Sequence, residues 1–461
     1  MQRITPDQAW HYRIVPKSVS KTSMEVYADA TSCSGDLRDE LEILLNKKIM
    51  MHPTDAALIE RTLTRFYLRN QAKKTSANLD LQSDEFLIHL ISEAKELGSS
   101  DIHIEAYEEN CRIRLRIDGQ LIERLIIRRS EYPMLVNKIK IMANLDIAEK
   151  RLPQDGRIFY NKANGKFDIR VSVLPSLHGE KIVLRLLAND ATHIMIENLG
   201  FSPTDLKHYM DGVKRPHGIL LISGPTGSGK TTTLYATLKI LNKDSRNILT
   251  IEDPIEYTLP GINQVQVREN IGLDFPRALR TFLRQDPDII MLGEIRDPET
   301  ANIAIRAALT GHLVLSTIHT NSAWGTVSRL MDMGIPAYLI ASTLNTTVAQ
   351  RLLRKLCPVC KREEPFDNAD LQKFLHGKYA IQKHFVPHGC PECYFTGYKG
   401  RKAIYEVIPI DHELSDKIRH KESDIAEALK MRNIRTLAEN SVELFEKGET
   451  SFEEIYPLLF N

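Results

Sequence analysis

The chain has 461 residues, 42% of them hydrophobic, and its 61 basic and 60 acidic side chains leave a formal net charge of +1. That length predicts about three domains with real cores, and the lack of a long apolar run or an amino-terminal signal pattern predicts a cytoplasmic protein. The balanced charge excludes a general electrostatic attraction to nucleic acid or lipid.

The amino-terminal part of the chain predicts two small domains. Residues 1–75 contain short apolar stretches and two amphipathic patterns, LRDELEILLNKKIM and ALIERTLTRFYL, which predict a small α/β domain with two helices. Residues 83–190 predict an α+β domain, with a helix MLVNKIKIMANLDIAE and alternating strands at SDIHIEAY, CRIRLRID, LIERLII, FDIRVSVLP and GEKIVLRLL. Glycine, proline and polar residues are frequent in 191–217, where we expect a hinge.

Residues 218–461 predict an α/β domain. The apolar runs GILLIS, NILTIED, DIIMLGE and HLVLST alternate with helical segments, which is typical of buried parallel strands in a doubly wound sheet. Ligands of such sheets bind beyond the carboxyl ends of the strands. We therefore expect charged residues at the strand ends to form the site.

The stretch GPTGSGKTTT, between the first of these strands and a helix, matches the phosphate-binding pattern GxxxxGK[ST]. Its glycines let backbone N–H groups face an anion, and the helix amino terminus adds partial positive charge. We expect Lys230 to contact the β- and γ-phosphates of ATP and Thr231 to bind Mg²⁺. The predicted nucleotide-binding residues are Gly224, Pro225, Thr226, Gly227, Ser228, Gly229, Lys230, Thr231 and Thr232.

Acidic residues follow two of the other predicted strands. Glu252, Asp253 and Glu256 come directly after an apolar strand, where they could hold Mg²⁺ or orient the attacking water, although Asp253 could instead cap a helix. Glu294 follows the strand IIML after one glycine, and we expect it to be the general base.

Histidines and arginines complete the predicted catalytic set. His312 and His319 lie at the two ends of the strand LVLSTI, where they could contact the γ-phosphate or respond to its loss; either histidine alone would be read as structural. Arg157 and Arg170 could reach the γ-phosphate as arginine fingers after domain closure. The alternative for both arginines is solvation with local salt bridges.

Four of the six cysteines form the pattern CxxC–x29–CxxC. Such pairs can supply four thiolates to one tetrahedral Zn²⁺, so we predict a structural zinc knuckle over 357–398, with redox pairs as the alternative. The predicted ligands are Cys357, Cys360, Cys390 and Cys393. Cys33 and Cys111 are isolated and are expected to be small apolar fillers.

The ordered set of motifs resembles the type II secretion and type IV pilus assembly ATPase family. The matching stretches are SDIHIE, RIDG, LPQDGR, GPTGSGKTTT, TIEDPIEY, LGEIRD, TGHLVLSTIHT and CPVC with CPEC, from about residue 80 to the carboxyl terminus. The resemblance implies a RecA-like P-loop domain, a preceding PAS-like domain and a homo-hexameric motor on the cytoplasmic face of a bacterial inner membrane. Closure of the second domain over the third would rotate a membrane platform protein, which lifts pilin or pseudopilin subunits.

Site roles also follow from the resemblance. In that family the loop 224–232, the acidic box Glu252–Glu256, Glu294 and the histidine box His312–His319 line the nucleotide. Arg157 and the arginine in the following strand, Arg170, correspond to cross-domain fingers. The first domain is short and lacks the RLGE-type motif of relatives that bind cyclic di-GMP, so we expect no such ligand.

Three alternative functions stay open from the sequence. A pilus retraction motor shares the ATPase boxes, although the tetracysteine pattern argues against it. A DNA translocase or conjugation ATPase is disfavoured by the neutral charge and the lack of a nucleic-acid module. A nucleotide-binding scaffold without hydrolysis is disfavoured by Lys230, Thr231 and Glu294.

Overall fold

The computed structural model describes residues 4, 6–20, 22–30, 35–45, 47–56, 58–59, 62–63, 84–162, 165–186, 195–366, 381, 383–393 and 396–459. The chain divides into two compact units. The first contains Met1–Asn189, Cys357–Arg362 and Pro387–Lys399, and the second contains Asp190–Leu356, Glu363–Val386 and Gly400–Asn461. Among the described helices, none is both long and apolar enough to cross a lipid bilayer.

The first unit begins with a three-stranded sheet in the order β1-β2-β3. Its elements are α1 (Pro6–Tyr12), β1 (Ile14–Val19), β2 (Ser23–Asp29), α2 (Gly35–Leu45) and β3 (Lys48–Thr54). Strands β1 and β2 are antiparallel, whereas β2 and β3 are parallel. The predicted second helix, ALIERTLTRFYL, lies mostly outside the described residues.

A six-stranded antiparallel sheet follows, in the order β6-β5-β4-β9-β8-β7. Its elements are α3 (Asp84–Glu96), β4 (Ser99–Ala106), β5 (Asn110–Ile117), β6 (Gln120–Arg128), α4 (Tyr132–Met142), β7 (Gln154–Lys162), β8 (Gly165–Ser176) and β9 (Gly179–Leu186). Alternate strand residues such as Ile113 and Val171 join Leu87 and Ile139 of the two helices in one core. Cys111 is buried there, as expected for a small apolar filler.

Two elements of this part differ from the sequence-based expectation. Strand β7 has the sequence QDGRIFYNK, although the sequence pattern there shows the motif LPQDGR and predicts no strand. Helix α4 ends at Met142 rather than at Glu149, because Asn144 adopts a left-handed conformation with φ of 55°. Asparagine tolerates this conformation better than most residues, and it terminates the helix.

The second unit contains a seven-stranded sheet in the order β12-β11-β13-β14-β10-β15-β18, and a separate pair, β16-β17. The strands are β10 (Gly218–Ser223), β11 (Ile248–Glu252), β12 (Asn263–Gln266), β13 (Ile289–Leu292), β14 (Leu313–Ile318), β15 (Leu344–Leu356), β16 (Arg362–Pro365), β17 (Lys383–Val386) and β18 (Tyr398–Pro409). The pairs from β12 through β15 are all parallel. The predicted α/β fold is therefore confirmed, although β12, β15 and β18 were not predicted.

Helices cover both faces of this sheet. They are α5 (Pro203–Val213), α6 (Lys230–Leu241), α7 (Phe275–Phe282), α8 (Pro298–Leu309), α9 (Gly325–Asp332), α10 (Ala337–Thr343), α11 (His412–Arg419), α12 (Ala426–Met431), α13 (Leu437–Glu446) and α14 (Phe452–Leu459). Strand β10 shows the two layers, because Leu221 packs in one core with Ala304 of α8, whereas Leu220 packs in another with Leu238 of α6. Helix α5 lies within the predicted hinge, yet its Tyr209 is buried in the second of these cores.

Candidate nucleotide site and cysteine cluster

The predicted phosphate-binding loop connects β10 to α6 with the boundaries that the sequence predicts. Strand β10 ends at Ser223, and α6 begins at Lys230 after Gly229, whose φ is 88°. A Cβ atom on Gly229 would lie 2.9 Å from Nε2 of Gln350, and one on Gly224 would lie 2.5 Å from the Gln350 carbonyl oxygen. Both positions therefore require glycine, because the loop lies directly against β15.

Lys230 lies in this loop with 9% of the residue exposed. Its Nζ donates hydrogen bonds to the carbonyl oxygens of Gly224 (2.8 Å) and Pro225 (3.1 Å). Burial lowers the pKa of Lys230, while the negative charge of Glu294 acts in the opposite direction. A buried ammonium group with only neutral oxygens bonded to it favours the approach of an anion.

The rest of the loop also fits a nucleotide phosphate. The Ser228 hydroxyl is buried and has no hydrogen-bond partner among the described residues. Thr226 and Thr231 are exposed, and Thr231 lies in the first turn of α6. The helix amino terminus adds partial positive charge to these donors.

Glu294 and His319 meet at the carboxyl ends of β13 and β14. These strands are parallel, with Leu292 opposite Ser316, so the residues that follow them lie at one edge of the sheet. His319 Nε2 is 3.4 Å from Glu294 Oε2, and Arg296 forms an ion pair with the other carboxylate oxygen of Glu294. The structure thus brings together a predicted base and a predicted histidine beside Lys230.

Glu252 lies at the end of β11, but its side chain is turned into the interior and only 2% of the residue is exposed. Thr250 Oγ1 (2.6 Å) and Gln264 Nε2 (3.1 Å) donate to Oε1, and the Tyr235 hydroxyl donates to Oε2. Burial raises the pKa of Glu252. Both carboxylate oxygens are thus bonded to protein donors. Because two of these donors, Tyr235 and Gln264, belong to α6 and β12, the carboxylate points toward those elements.

The other two acids of this box lie nearer the surface. Asp253 is exposed. The hydrogen bond that Arg296 donates to Glu294 is the main cause of the raised pKa of Arg296, and the negative charges of Glu294 and Asp253 add to it. Glu256 is half-buried, and its backbone N–H donates to the Tyr235 hydroxyl at 3.3 Å. Asp253 does not precede a helix in the described chain.

His312 lies at the opposite end of β14 from His319. The backbone N–H of Gly218, where β10 begins, donates to the His312 carbonyl oxygen at 3.1 Å. The Nδ1 atom of His312 lies 2.9 Å from the carbonyl oxygen of Ala307. One full strand, about 20 Å long, separates this edge from the loop, so the structure does not bring His312 to the phosphate site within this unit.

Gln350 and Arg351 of β15 were not predicted as site residues, yet both support the loop. Gln350 Nε2 donates to the Ser228 carbonyl oxygen at 2.9 Å, and its Oε1 accepts from Thr233 Oγ1 at 3.0 Å. Arg351 is 9% exposed, and its charge contributes to lowering the pKa of Lys230. The signal in the sequence was a polar and a charged residue within the apolar run LNTTVAQRLL.

The two predicted arginine fingers lie in the first unit, opposite each other on β7 and β8. Arg170 also lies opposite Arg185 of β9, so three arginines form one row across the sheet. Arg157 makes a bidentate ion pair with Asp168, with Nε 2.7 Å from Oδ1, and its guanidinium lies 4.5 Å from the centre of the Phe159 ring. Arg185 was not singled out from the sequence, and its Nε donates to Asp101 Oδ1 at 2.9 Å.

The four predicted zinc ligands are gathered within the first unit. Their Sγ atoms all lie within 4.8 Å of one another. The separations of Cys357 from Cys390 (3.8 Å) and of Cys360 from Cys393 (3.6 Å) match the roughly 3.8 Å expected between thiolates that are each about 2.3 Å from one tetrahedral metal. The four cysteines are free thiols, so the cluster could hold a metal ion.

Backbone donors also favour thiolate character in this cluster. The N–H groups of Cys390 and Gly397 each lie 3.2 Å from Cys393 Sγ. The pKa of Cys393 is lowered, first by the Cys390 thiol and then by these N–H groups. Cys33 lies outside the described residues.

Comparison with known proteins identifies the family. Residues 80–457 match the family described as type II/IV secretion system protein. The type II secretion system protein E of Klebsiella pneumoniae is 45% identical over 404 residues, which cover 86% of this chain and 80% of that protein. The type II secretion system ATPase E of Vibrio cholerae is 45% identical over 398 residues, or 85% of this chain and 78% of that protein.

Solved structures agree on the fold. The pilus retraction motor PilT with bound ADP is 26% identical with a TM-score of 0.55, covering 80% of this chain and 96% of that one. The Legionella pneumophila ATPase DotB is 21% identical with a TM-score of 0.60, covering 82% and 96%, and this likeness concerns the fold alone. The chain therefore belongs to the type II/IV secretion system protein family, and it is a type II secretion system ATPase.

Proposed function

We propose that this ATPase works as a homo-hexamer that drives pseudopilus assembly through an inner-membrane platform protein. The observation that carries the proposal is the meeting of Lys230, Glu294 and His319 at one edge of the second unit's sheet. Such an edge is where ligands of parallel sheets bind. The proposed location is the cytoplasmic face of the inner membrane, where partner proteins would hold it.

Glu294 acts as the general base in the proposed reaction. It accepts a proton from the water that attacks the γ-phosphorus of ATP, and the bond to the β–γ bridging oxygen breaks to leave ADP and phosphate. Its neighbour His319, 3.4 Å away, orients the carboxylate toward that water. Lys230 moves from its loop carbonyls to the phosphate oxygens and stabilises their charge.

The remaining predicted residues have proposed roles around this centre. Residues 224–232 bind the phosphates. Thr231 would hold Mg²⁺ directly, and Asp253 and Glu256 would hold it through bridging water molecules. The metal would neutralise charge on the β- and γ-phosphates. Because Glu252 accepts hydrogen bonds from Tyr235, Thr250 and Gln264, we assign it a structural role, in which it holds β11 against α6.

Arg157 and Arg170 are proposed to reach the γ-phosphate when the PAS-like domain closes on the RecA-like domain. Arg157 would exchange Asp168 for phosphate oxygens, which present a similar planar pair of acceptors. His312 lies away from the loop of its own unit, so we propose that it responds to closure indirectly rather than by contact with phosphate.

The cysteine cluster is proposed to bind structural Zn²⁺. All four ligand positions are filled by protein sulfur, which leaves no open coordination position for catalysis. Type IV pilus extension is the nearest alternative function, because the motifs resemble both systems. A retraction motor shares the ATPase boxes, and the retraction motor PilT is 26% identical to this chain, but the tetracysteine pattern argues against retraction. We expect neither DNA nor cyclic di-GMP as a ligand.

Hydrolysis by the variant Glu294→Gln tests the base. We expect ATP affinity to stay within about threefold and turnover to fall about 100-fold or more. Glu299→Gln is the matched control, because Glu299 is an exposed acid at the start of α8 that pairs with Arg280 and not with His319. Turnover of Glu294→Gln near that of the wild type would remove Glu294 from this role.

A second measurement tests the motor assignment. ATP turnover of the purified chain is compared with no addition, with the cytoplasmic domain of a platform protein and with double-stranded DNA. We expect stimulation by the platform domain alone. Stimulation by DNA would instead support a translocase.

A further inference from the structure

Two buried charged residues lie behind the nucleotide site, and none of the motifs accounts for them. Arg351 of β15 is 9% exposed and Glu406 of β18 is 5% exposed, and the two strands are neighbours. Burial lowers the pKa of Arg351 and raises that of Glu406, and their opposite charges partly offset both effects. Burying a charged side chain is costly even when it is hydrogen-bonded, so stability alone does not explain these two.

Their hydrogen bonds converge on the loop that follows His319. Arg351 Nη2 donates to the carbonyl oxygen of Asn321 at 2.9 Å, and the backbone N–H of Ala323 donates to Glu406 Oε1 at 2.8 Å. Thr347 Oγ1, also in β15, donates to the Ala323 carbonyl oxygen at 2.8 Å. Side chains from two strands thus fix the backbone of residues 321–323 at three points.

Arg351 also lies against the phosphate-binding loop. Its Nη1 donates to the carbonyl oxygen of Gln350 at 3.0 Å, and a Cβ atom on Gly224 would lie 3.2 Å from the same Nη1. The planar guanidinium of Arg351 therefore contacts the loop that follows His319 through Nη2, and it approaches the phosphate-binding loop through Nη1. Its fixed donor geometry sets the spacing of the two loops.

Glu406 extends the network to the carboxyl-terminal helices. Its second carboxylate oxygen, Oε2, accepts from the backbone N–H of Leu437 at 3.2 Å, and Leu437 is the first residue of α13. A carboxylate at a helix amino terminus is favourable because the unpaired N–H groups there carry partial positive charge. The position of the loop after His319 is thereby tied to the start of α13.

We infer that Arg351 and Glu406 are positioning residues for ATP hydrolysis. They fix the distance between the loop that follows His319 (residues 321–323) and the phosphate-binding loop, and they couple that distance to the position of α13. They do not contact ATP, and they act through His319. The inference rests on the proposed site, but it concerns a different measurement from the Glu294 test, so the two can fail independently.

Arg351→Lys is the main test variant, since it keeps the charge and removes the fork of donors. We expect kcat to fall about 10- to 100-fold because His319 shifts, while KM for ATP stays within about threefold. Arg354→Lys is the matched control, because Arg354 lies three residues further along β15 and pairs with α14 instead of with residues 321–323. Its Nε (2.9 Å) and Nη2 (2.7 Å) both donate to Glu454 Oε1. The control should lower Tm without changing kcat.

Thr347→Val gives a second variant that preserves shape. It removes only the hydrogen bond to the Ala323 carbonyl oxygen and should lower kcat in the same direction, by less than Arg351→Lys. Glu406→Gln keeps one acceptor for Ala323 but places an amide donor against the N–H of Leu437. It should therefore be partly active, whereas Glu406→Leu should not be.

A double-mutant cycle separates positioning from general destabilisation. In a His319→Gln background, Arg351→Lys should change kcat by less than about threefold, because the side chain through which it acts is gone. The inference is overturned if folded Arg351→Lys keeps the wild-type kcat. It is also overturned if the loss in kcat is the same in both backgrounds.

Discussion

Lys140 is a charged residue in the core of the first unit, with none of its side chain exposed. Its Nζ lies 2.5 Å from Glu180 Oε1 as an ion pair, and it donates to the carbonyl oxygens of Asp146 (3.2 Å) and Glu149 (2.6 Å). Gln154 Nε2 donates to the same two carbonyl groups at 3.0 Å each, so these keep a partner if Lys140 is replaced. The substitution Lys140→Met should therefore lower the free energy of unfolding mainly because Glu180 loses its partner.

The size of that loss follows from the charge that Glu180 keeps when its partner is removed. Leaving a buried carboxylate unpaired costs about 3–5 kcal/mol. In the double variant Lys140→Met with Glu180→Gln both charges of the pair are gone, and replacing a whole buried pair is often nearly neutral. We therefore expect Lys140→Met alone to lose about 3–5 kcal/mol of stability and the double variant to lose much less.

Hydrogen exchange of the full chain, followed by mass spectrometry on peptides from β8 and β9, measures the opening free energy of this sheet. At pH 7 we expect exchange in Lys140→Met to be about 150- to 5,000-fold faster than in the wild type, after correction for intrinsic rates. The double variant Lys140→Met with Glu180→Gln should recover most of the protection. Protection of Lys140→Met equal to that of the wild type, or no recovery in the double variant, would refute this account.

Three further predictions concern other parts of the chain. Gly229→Ala forces alanine into a left-handed conformation at about 1–2 kcal/mol, so calorimetric titration should show weaker ATP binding; Gly311→Ala, with φ of 110° in open space, should lower Tm but leave binding unchanged. Chelation of the metal at the cysteine cluster should speed exchange around the cysteines while ATP binding persists, and loss of binding would contradict a purely structural metal. Burial opposes ionisation of Glu105, but hydrogen bonds from Arg114 and Arg112 lower its pKa to about 2. That stabilisation, about 1–2 kcal/mol, is present above about pH 4.5 and lost as pH falls toward 2, so acid titration by circular dichroism should show a flatter profile for Glu105→Gln.

The phosphate-binding loop was predictable because local rules determine it. The apolar run that ends at Ser223 and the glycines before Lys230 specify a strand, a bare-backbone turn and a helix without reference to the rest of the chain. The cysteine spacing is similarly local within each pair. The meeting of Glu294 and His319 was expected because parallel strands end at one edge of the sheet.

Side-chain direction and distant contacts were not predictable in this way. Glu252 follows a strand as expected, but Tyr235 of α6 and Gln264 of β12 turn it inward, and no local pattern encodes that packing. The role of Arg351 depends on β15 lying beside β10, more than 100 residues earlier in the sequence. His312 precedes its strand, so the parallel register that brings His319 to the loop necessarily keeps His312 at the other edge.

The arginine pair on β7 and β8 constrains how this hairpin can evolve. Arg157 and Arg170 share a face only because they are paired directly, while their neighbours Ile158 and Ile169 pair on the buried face. An insertion or deletion of one residue within either strand would carry that strand's arginine into the core and an isoleucine into solvent. Homologous chains should therefore differ in length at the turn of the hairpin and keep the strands themselves free of gaps.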